Sequence, residues 1–216
     1  LCQLIKLQLE DKFNIHIANN GVEGLKKVHL YHPDIVVTDQ MMPEMDGLEM
    51  LQSIRKDFQI SHIPVIILTA KNDEGAKTKA ITLGANAYIT KPFSKEYLLA
   101  RIDQLLSERL LFRERIRLQM ENQKTTEEDS YEQYLVKKDV QFLEKIHQVI
   151  EENMDDSDFN IDTIASGIGL SRSAFFKKLK SLTGLAPVDL VKEIRLNKSV
   201  ELIKNTDLSI SEIAFA

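Results

Sequence analysis

The sequence contains very little cysteine, no tryptophan and no long uninterrupted hydrophobic run. Its 216 residues include one cysteine, Cys2. A single cysteine cannot form an internal disulfide and is typical of proteins in a reducing compartment. No apolar stretch approaches the roughly 18 residues that indicate a transmembrane helix, and no signal peptide is recognisable. We therefore expect a cytoplasmic protein.

An excess of positive charge is also lacking, because the net charge is −5. A surface for nucleic acid would thus have to be local rather than global. The five histidines do not show the spacing of metal ligands. With 43% hydrophobic residues, the chain can fill the cores of one or two domains.

The strongest local signal is the stretch Ile35-Val36-Val37-Thr38-Asp39, in which β-branched residues lead into a carboxylate. Apolar residues without polar alternation indicate a strand buried on both faces, as in a parallel sheet. One interpretation is that Asp39 only caps a turn. The other is a binding or reaction site, because ligands of such sheets lie at the carboxyl ends of the strands.

Predicted strands and helices alternate as far as residue 106. A helix is expected at the start of the chain, and a second one with Val22, Leu25, Val28 and Leu30 facing inward should end near His32-Pro33. Further helices are expected after a cap at Asp46 and over about 73–83. Strands are expected at residues 13–17, 35–38, 64–70 and 87–90. This order predicts a doubly wound α/β domain with a parallel sheet.

Polar residues follow three of these strands, namely Asp39, Thr69 and Lys91. In a parallel sheet they would lie along one edge and offer a carboxylate nucleophile, a hydroxyl donor and a cation. This set of groups suits transient phosphorylation of Asp39, with Lys91 neutralising one phosphoryl oxygen and Thr69 donating to another.

Residues 1–106 resemble the receiver domain of two-component response regulators, which has a flavodoxin-like fold. The resemblance rests on Val36–Asp39, Met42-Pro43-Glu44-Met45-Asp46-Gly47, Leu68-Thr69-Ala70, Gly84-Ala85 and Tyr88-Ile89-Thr90-Lys91-Pro92-Phe93. It implies that Asp39 is the phosphoacceptor, that Thr69 and Lys91 assist the chemistry, and that Thr69 and Tyr88 act as switch residues.

The resemblance also implies Mg²⁺ held by the Asp39 carboxylate and the Met41 carbonyl, and a cis peptide between Lys91 and Pro92. The family has a first strand, ending in two acidic Mg²⁺ ligands, before the helix with which this sequence begins. We expect that strand to be missing here. The Mg²⁺ shell would then be incomplete.

A helical extension and linker are predicted over residues 107–138. Apolar residues recur here at helical spacing. They fit either a coiled-coil seam that joins two protomers or a helix that packs on its own domain. The positions are Leu98, Ile102, Leu105, Phe112 and Ile116, followed by Gln119. Residues 123–130 are polar without apolar period and form the expected linker.

Residues 139–216 predict a second, all-α domain containing a helix-turn-helix. A helix over about 139–153 with Val140, Leu143, Ile146 and Ile150 inward is followed by acidic residues 155–158, then by a short helix at 161–167, a glycine turn and a helix capped by Ser171. Leu170, Phe175 and Leu179 would face the core. The expected DNA-facing residues are Arg172, Ser173, Phe176, Lys177 and Lys180.

This region resembles the DNA-binding domain of AraC-type transcription activators. The matching residues are Ile164-Ala165, Leu170-Ser171-Arg172-Ser173, Phe175 with Lys177 to Lys180, Thr183-Gly184, Pro187, and the helix through Ile194-Arg195-Leu196 and Leu202-Ile203. The family has two helix-turn-helix units, and we expect the second to be truncated at residues 210–216.

Together the two resemblances imply a phosphorylation-controlled transcription regulator, as in hybrid two-component systems whose full-length chains can be membrane-anchored. The implied partners are a histidine kinase and double-stranded DNA, with a homodimer if the coiled coil forms. No small-molecule substrate is indicated and no enzyme is expected, beyond a receiver that catalyses its own phosphorylation and dephosphorylation. The alternatives are a phosphotransfer relay or a scaffolding module without DNA-binding activity.

Overall fold

Strands and helices alternate along the first part of the computed structural model, as the sequence predicts. The elements are α1 (Cys2–Leu9), α2 (Gly21–Tyr31), β1 (Val36–Asp39), α3 (Gly47–Lys56), β2 (Val65–Ala70), α4 (Glu74–Thr82), β3 (Ala87–Lys91) and α5 (Lys95–Asn122). The chain divides into two units, residues 1–111 and residues 112–216. The structure describes residues 2–70, 74–122, 132–153, 159–206 and 209–215.

The first unit is built on a parallel sheet with the strand order β1-β2-β3. Side chains of the central strand alternate between two hydrophobic clusters. Val65 and Ile67 pack with residues of α2, α3 and α4, whereas Ile66 and Leu68 pack with residues of α1 and α5. Because both faces of the sheet are covered, the predicted doubly wound, flavodoxin-like arrangement is confirmed.

The prediction of a strand over residues 13–17 is wrong, since this segment is not a strand in the structure. A strand forms only where its N–H and C=O groups pair with a neighbouring segment, and the sheet of the described residues contains β1, β2 and β3 alone. The apolar alternation still has a packing role. Phe13 and Ile15 contact the hydrophobic cluster that α1 and α5 form with the sheet.

The inward orientation predicted for Leu30 is also wrong. Val28 is buried, but Leu30 is 63% exposed. Successive helical residues are about 100° apart around the axis, so two residues further on the side chain points to the opposite side. Leu30 is hydrophobic, but it does not lie on the buried face of α2.

Helix α5 begins as part of the first unit. Leu98, Ile102 and Leu105 are buried in the cluster formed with β2 and β3. For these three positions the structure supports packing on the helix's own domain rather than a seam between protomers. The side chains of Ile116 and Gln119 lie outside the described residues, as do the predicted linker at 123–130 and the acidic stretch at 155–158.

The described part of the second unit is helical beyond α5. It contains α6 (Glu132–Glu151), α7 (Ile161–Ile168), α8 (Arg172–Thr183), α9 (Pro187–Asn205) and α10 (Ile210–Phe215). Its core includes the predicted inward residues Leu143, Ile146, Ile150, Phe175 and Leu179, together with Phe142, Ile164, Leu182, Leu190 and Ile194. Val140 and Leu170 are half-buried.

A tight turn joins α7 to α8. Asn160 caps the start of α7, and Gly169 ends that helix with φ of 77°, a conformation that glycine adopts without strain. Ser171 then caps α8 by accepting a hydrogen bond from the Ala174 N–H. These caps end α7 and begin α8 on either side of the glycine turn that the sequence predicts. Among the described residues, no helix is long and apolar enough to cross a membrane.

Candidate functional site

The three parallel strands bring the predicted reactive residues to one edge of the sheet. Asp39 is the last residue of β1, and it lies opposite Leu68 in the register with β2. Thr69 follows Leu68 directly, and Lys91 lies opposite Ala70 at the end of β3. Asp39, Thr69 and Lys91 are therefore gathered at the carboxyl ends of the strands, where open α/β sheets bind ligands.

Asp39 and Lys91 form an ion pair across this edge. The Lys91 Nζ lies 2.5 Å from the Asp39 Oδ2, and both side chains remain about one-third exposed or less. The other carboxylate oxygen, Oδ1, accepts a hydrogen bond of 3.3 Å from the Met41 N–H. A cation beside a partly exposed carboxylate can neutralise negative charge that arrives on that carboxylate. The peptide between Lys91 and Pro92 is cis, as the resemblance implies.

A second polar cluster lies beside the pair and includes a residue that the sequence analysis missed. Thr69 is 1% exposed, and its hydroxyl donates to the Gln40 side-chain oxygen. The Tyr88 hydroxyl lies 2.9 Å from the Thr69 Oγ1 and 3.2 Å from the Gln40 Oε1. Gln40 thus joins both predicted switch residues. In the sequence, only its position next to Asp39 indicated that Gln40 could belong to the site.

The start of α3 packs against the backbone that follows Asp39. The Gly47 N–H donates to the Gln40 carbonyl at 2.9 Å, and the Gln40 N–H donates to the Leu68 carbonyl at 2.8 Å. A Cβ at position 47 would lie 2.2 Å from the Asp39 carbonyl oxygen, so only glycine fits there. Asp46 caps α3 in a capping box with Glu49, as predicted for Asp46.

The described residues do not by themselves complete a site for Mg²⁺. The Asp39 carboxylate and the Met41 carbonyl are the two oxygen ligands implied by the resemblance, whereas Mg²⁺ needs an octahedral shell. In the described part of the chain, no group of three or more histidine, cysteine or acidic residues could hold a metal ion. The residues present would therefore supply two of the six oxygen ligands of an octahedral Mg²⁺.

In the second unit, the predicted DNA-facing residues of α8 have unequal exposure. Arg172, Ser173, Phe176 and Lys180 are exposed, whereas Lys177 is half-buried. The Lys180 ammonium lies 5.8 Å from the centre of the Phe176 ring. Arg172 donates to the Asp162 carboxylate of α7 at 3.0 Å. The exposed surface of α8 thus carries both cations and an aromatic ring, and one of its cations has an acidic neighbour.

A buried ion pair in the second unit was not anticipated from the sequence. Lys178 of α8 is fully buried, and its ammonium lies 3.4 Å from the Asp139 carboxylate of α6. The same ammonium lies 4.9 Å from the centre of the Phe142 ring. Of the four basic residues in α8, Lys178 therefore contributes to the core rather than to the surface. Lys178 is not among the residues predicted to face DNA, so its burial leaves that predicted set unchanged.

Comparisons with known proteins place the first unit in a family. Residues 1–103 match the family model described as "Response regulator receiver domain". "Histidine kinase P4" of Formosa agariphila is 32% identical over 213 residues, which are 98% of this chain and 15% of that protein. The "Alkaline phosphatase synthesis transcriptional regulatory protein PhoP" of Bacillus subtilis is 38% identical over 104 residues, which are 48% of this chain and 42% of PhoP.

A solved structure, that of a response regulator receiver domain protein from Clostridium thermocellum, is 32% identical, covers 51% of this chain and 88% of that chain, and has a TM-score of 0.48. This chain matches 42% of the length of PhoP and 15% of the length of Histidine kinase P4, so it spans less than half of either relative. Given the family match and the parallel sheet with its helices on both faces, residues 1–103 belong to the response regulator receiver domain family.

Proposed function

We propose that this chain is the phosphorylation-controlled, DNA-binding part of a two-component transcription regulator, with Asp39 as the phosphoacceptor. The observation that carries the proposal is the contact between Asp39 and Lys91 at the carboxyl edge of the sheet. A nucleophile, a cation and the Thr69 hydroxyl converge there. Relatives named as a histidine kinase and as a transcriptional regulatory protein support a role in two-component signalling.

The phosphoryl step uses groups whose places are described above. One Asp39 carboxylate oxygen attacks the phosphorus of a phosphohistidine on a histidine kinase, and an O–P bond forms as the N–P bond breaks. The imidazole nitrogen leaves with the bonding electron pair. Lys91 neutralises the charge on the new acyl phosphate, and the Thr69 hydroxyl can donate to one of its oxygens.

The second unit is proposed to be an AraC-type domain whose α7 and α8 form a helix-turn-helix. Support comes from the capped turn between these helices and from the exposed residues at the start of α8. In this arrangement Ser173, Phe176 and Lys177 would reach base edges, while Arg172 and Lys180 would contact phosphates. The Asp162 carboxylate, which accepts from Arg172, would lie near that phosphate.

The experiment that tests the reaction is treatment of the full-length protein with a small phosphodonor in a Mg²⁺ buffer, followed by intact-mass measurement. We expect one added phosphoryl group, lost in Asp39→Asn. Asp103→Asn is the matched control, because Asp103 is an exposed carboxylate that also pairs with a lysine, Lys12, at 2.7 Å. Labelling that persists in Asp39→Asn, or that disappears in the Asp103 variant, would contradict the assignment.

A further inference from the structure

The side chain of Gln40, the residue after Asp39, contacts both Thr69 and Tyr88. Its amide oxygen accepts a hydrogen bond from the Thr69 hydroxyl and lies 3.2 Å from the Tyr88 hydroxyl. The Ala70 carbonyl is a second acceptor near Thr69 but lies farther away, at 3.3 Å. Gln40 is therefore the nearer of the two acceptors described for the Thr69 hydrogen.

The backbone of Gln40 does not depend on this side chain. Its N–H and C=O are held by the Leu68 carbonyl at 2.8 Å and the Gly47 N–H at 2.9 Å. These bonds join the ends of β1 and β2 and the start of α3 whatever side chain stands at position 40. The carboxamide contacts with Thr69 and Tyr88 are an addition to a backbone that is already fixed.

Hydrogen-bond chemistry makes the carboxamide oxygen a competitor. A threonine hydroxyl has one hydrogen to donate, and an amide oxygen only accepts. Phosphoryl oxygens are acceptors too. The Thr69 side chain is 1% exposed, so it has little access to solvent as an alternative partner. If the hydroxyl donates to a phosphoryl group on Asp39, it must give up its bond to Gln40.

We propose that Gln40 is a positioning residue that competes with the phosphoryl group on Asp39 for the Thr69 hydroxyl, and so sets the threshold at which the receiver switches. This inference rests on the proposed function, because it concerns the regulation of the same site. Gln40 stabilises the unmodified arrangement of Thr69 and Tyr88. Its removal favours the phosphorylated arrangement.

The test uses fluoroberyllate, which binds a carboxylate oxygen as a phosphoryl analogue, on the full-length protein in a Mg²⁺ buffer. Its dissociation constant is measured from the fluorine NMR signal of the bound form. Gln40→Met keeps the length of the side chain and removes the amide acceptor. Gln40→Asn keeps the amide and shortens its reach. Both variants lack the Thr69–Gln40 hydrogen bond, which stabilises only the protein without fluoroberyllate. Both should therefore bind fluoroberyllate about 2- to 10-fold more tightly than the wild type.

The same two variants are then measured in a Thr69→Ala background. Competition for the Thr69 hydroxyl predicts that their effect disappears there, whereas a general change in packing would persist. Gln52→Met, on the exposed side of α3, is the matched control and should bind like the wild type. Tighter binding is informative because a variant that merely weakened the structure would bind less tightly.

The possible outcomes separate this inference from the proposed function. If the wild type does not bind fluoroberyllate at Asp39, the proposed function fails and the inference fails with it. If the wild type binds and both Gln40 variants bind equally or more weakly, the inference alone is overturned. An effect that remains in the Thr69→Ala background also overturns it. Tighter binding that requires Thr69 supports it.

Discussion

The ammonium of Lys178 lies 3.4 Å from the carboxylate of Asp139, and both side chains are withdrawn from solvent. The pair links α8 to α6, so the helix proposed to read DNA is attached to the helix that follows the predicted linker. Burying two charges has a large desolvation penalty, which their attraction offsets only when both partners are present.

Asp139→Ala should therefore destabilise the second unit by about 3–5 kcal/mol, because it leaves a buried ammonium without its carboxylate. The double variant Asp139→Leu with Lys178→Met should be far less destabilised, since it removes both charges together. Hydrogen exchange of α8 amides, read by mass spectrometry in the whole chain, measures the difference. Equal loss of protection in the two proteins would show that the pair is not what holds α8.

Gly47→Ala should distort the loop between Asp39 and α3. The added Cβ would lie 2.2 Å from the Asp39 carbonyl oxygen, which belongs to the backbone and cannot rotate away. We expect destabilisation of about 1–3 kcal/mol and slower labelling of Asp39 by a small phosphodonor. Thermal unfolding and intact-mass kinetics measure the two effects.

Gly167→Ala in α7 is the control for this change. There the new Cβ would meet the Val149 methyl groups at 3.5 and 3.6 Å, which is ordinary contact distance. Alanine also favours helix over glycine by about 1 kcal/mol. This variant should be as stable as the wild type or more so. A similar loss in both variants would argue against the steric explanation at position 47.

Arg55→Lys should destabilise the two loops that precede β2 and β3. The guanidinium donates to the carbonyls of Gly84, Ser61 and Ile63 and to the Asn86 side chain, at 2.8–3.0 Å. A lysine ammonium cannot reproduce this planar set of donors. We expect a loss of about 1–3 kcal/mol in the free energy of unfolding, measured with urea. Lys56→Ala, an exposed change on the same helix, should stay within about 0.5 kcal/mol of the wild type.

The two lysines proposed to contact DNA should differ in their effects. Lys180→Ala should weaken binding to all duplexes and reduce the salt slope by about 1, as expected for a phosphate contact. Lys177→Ala should cost about 1–3 kcal/mol on a specific site alone. Fluorescence anisotropy on specific and random duplexes at several salt concentrations separates these patterns.

Lys145→Ala, an exposed change on α6, is the matched control and should leave both affinities unchanged. If Lys177→Ala and Lys180→Ala weaken specific and random duplexes equally, the division into base and phosphate contacts is wrong. If neither variant weakens binding, α8 is not the DNA-contacting helix.

The sequence was sufficient where local pattern and local chemistry coincide. Near-continuous apolar runs predicted the buried strands β1 and β2, and Asp46 and Ser171 were recognised as caps from residue type and spacing. Parallel pairing then follows from the alternation of strands and helices. That pairing is what placed Asp39, Thr69 and Lys91 at one edge before any distance was known.

The tertiary structure decided what depends on partners distant in the chain. Residues 13–17 have a strand pattern, but they do not join the sheet that the described residues form. Lys178 looks like a surface lysine in the sequence, and its contact with Asp139, 39 positions earlier, appears only in the structure. Gln40 looks unremarkable in the sequence, and its contact with Thr69 and Tyr88 exists only because β1, β2 and β3 end side by side. A sequence pattern specifies a residue's local conformation and its preference for burial, whereas hydrogen bonds and ion pairs require groups from separate elements to meet in space.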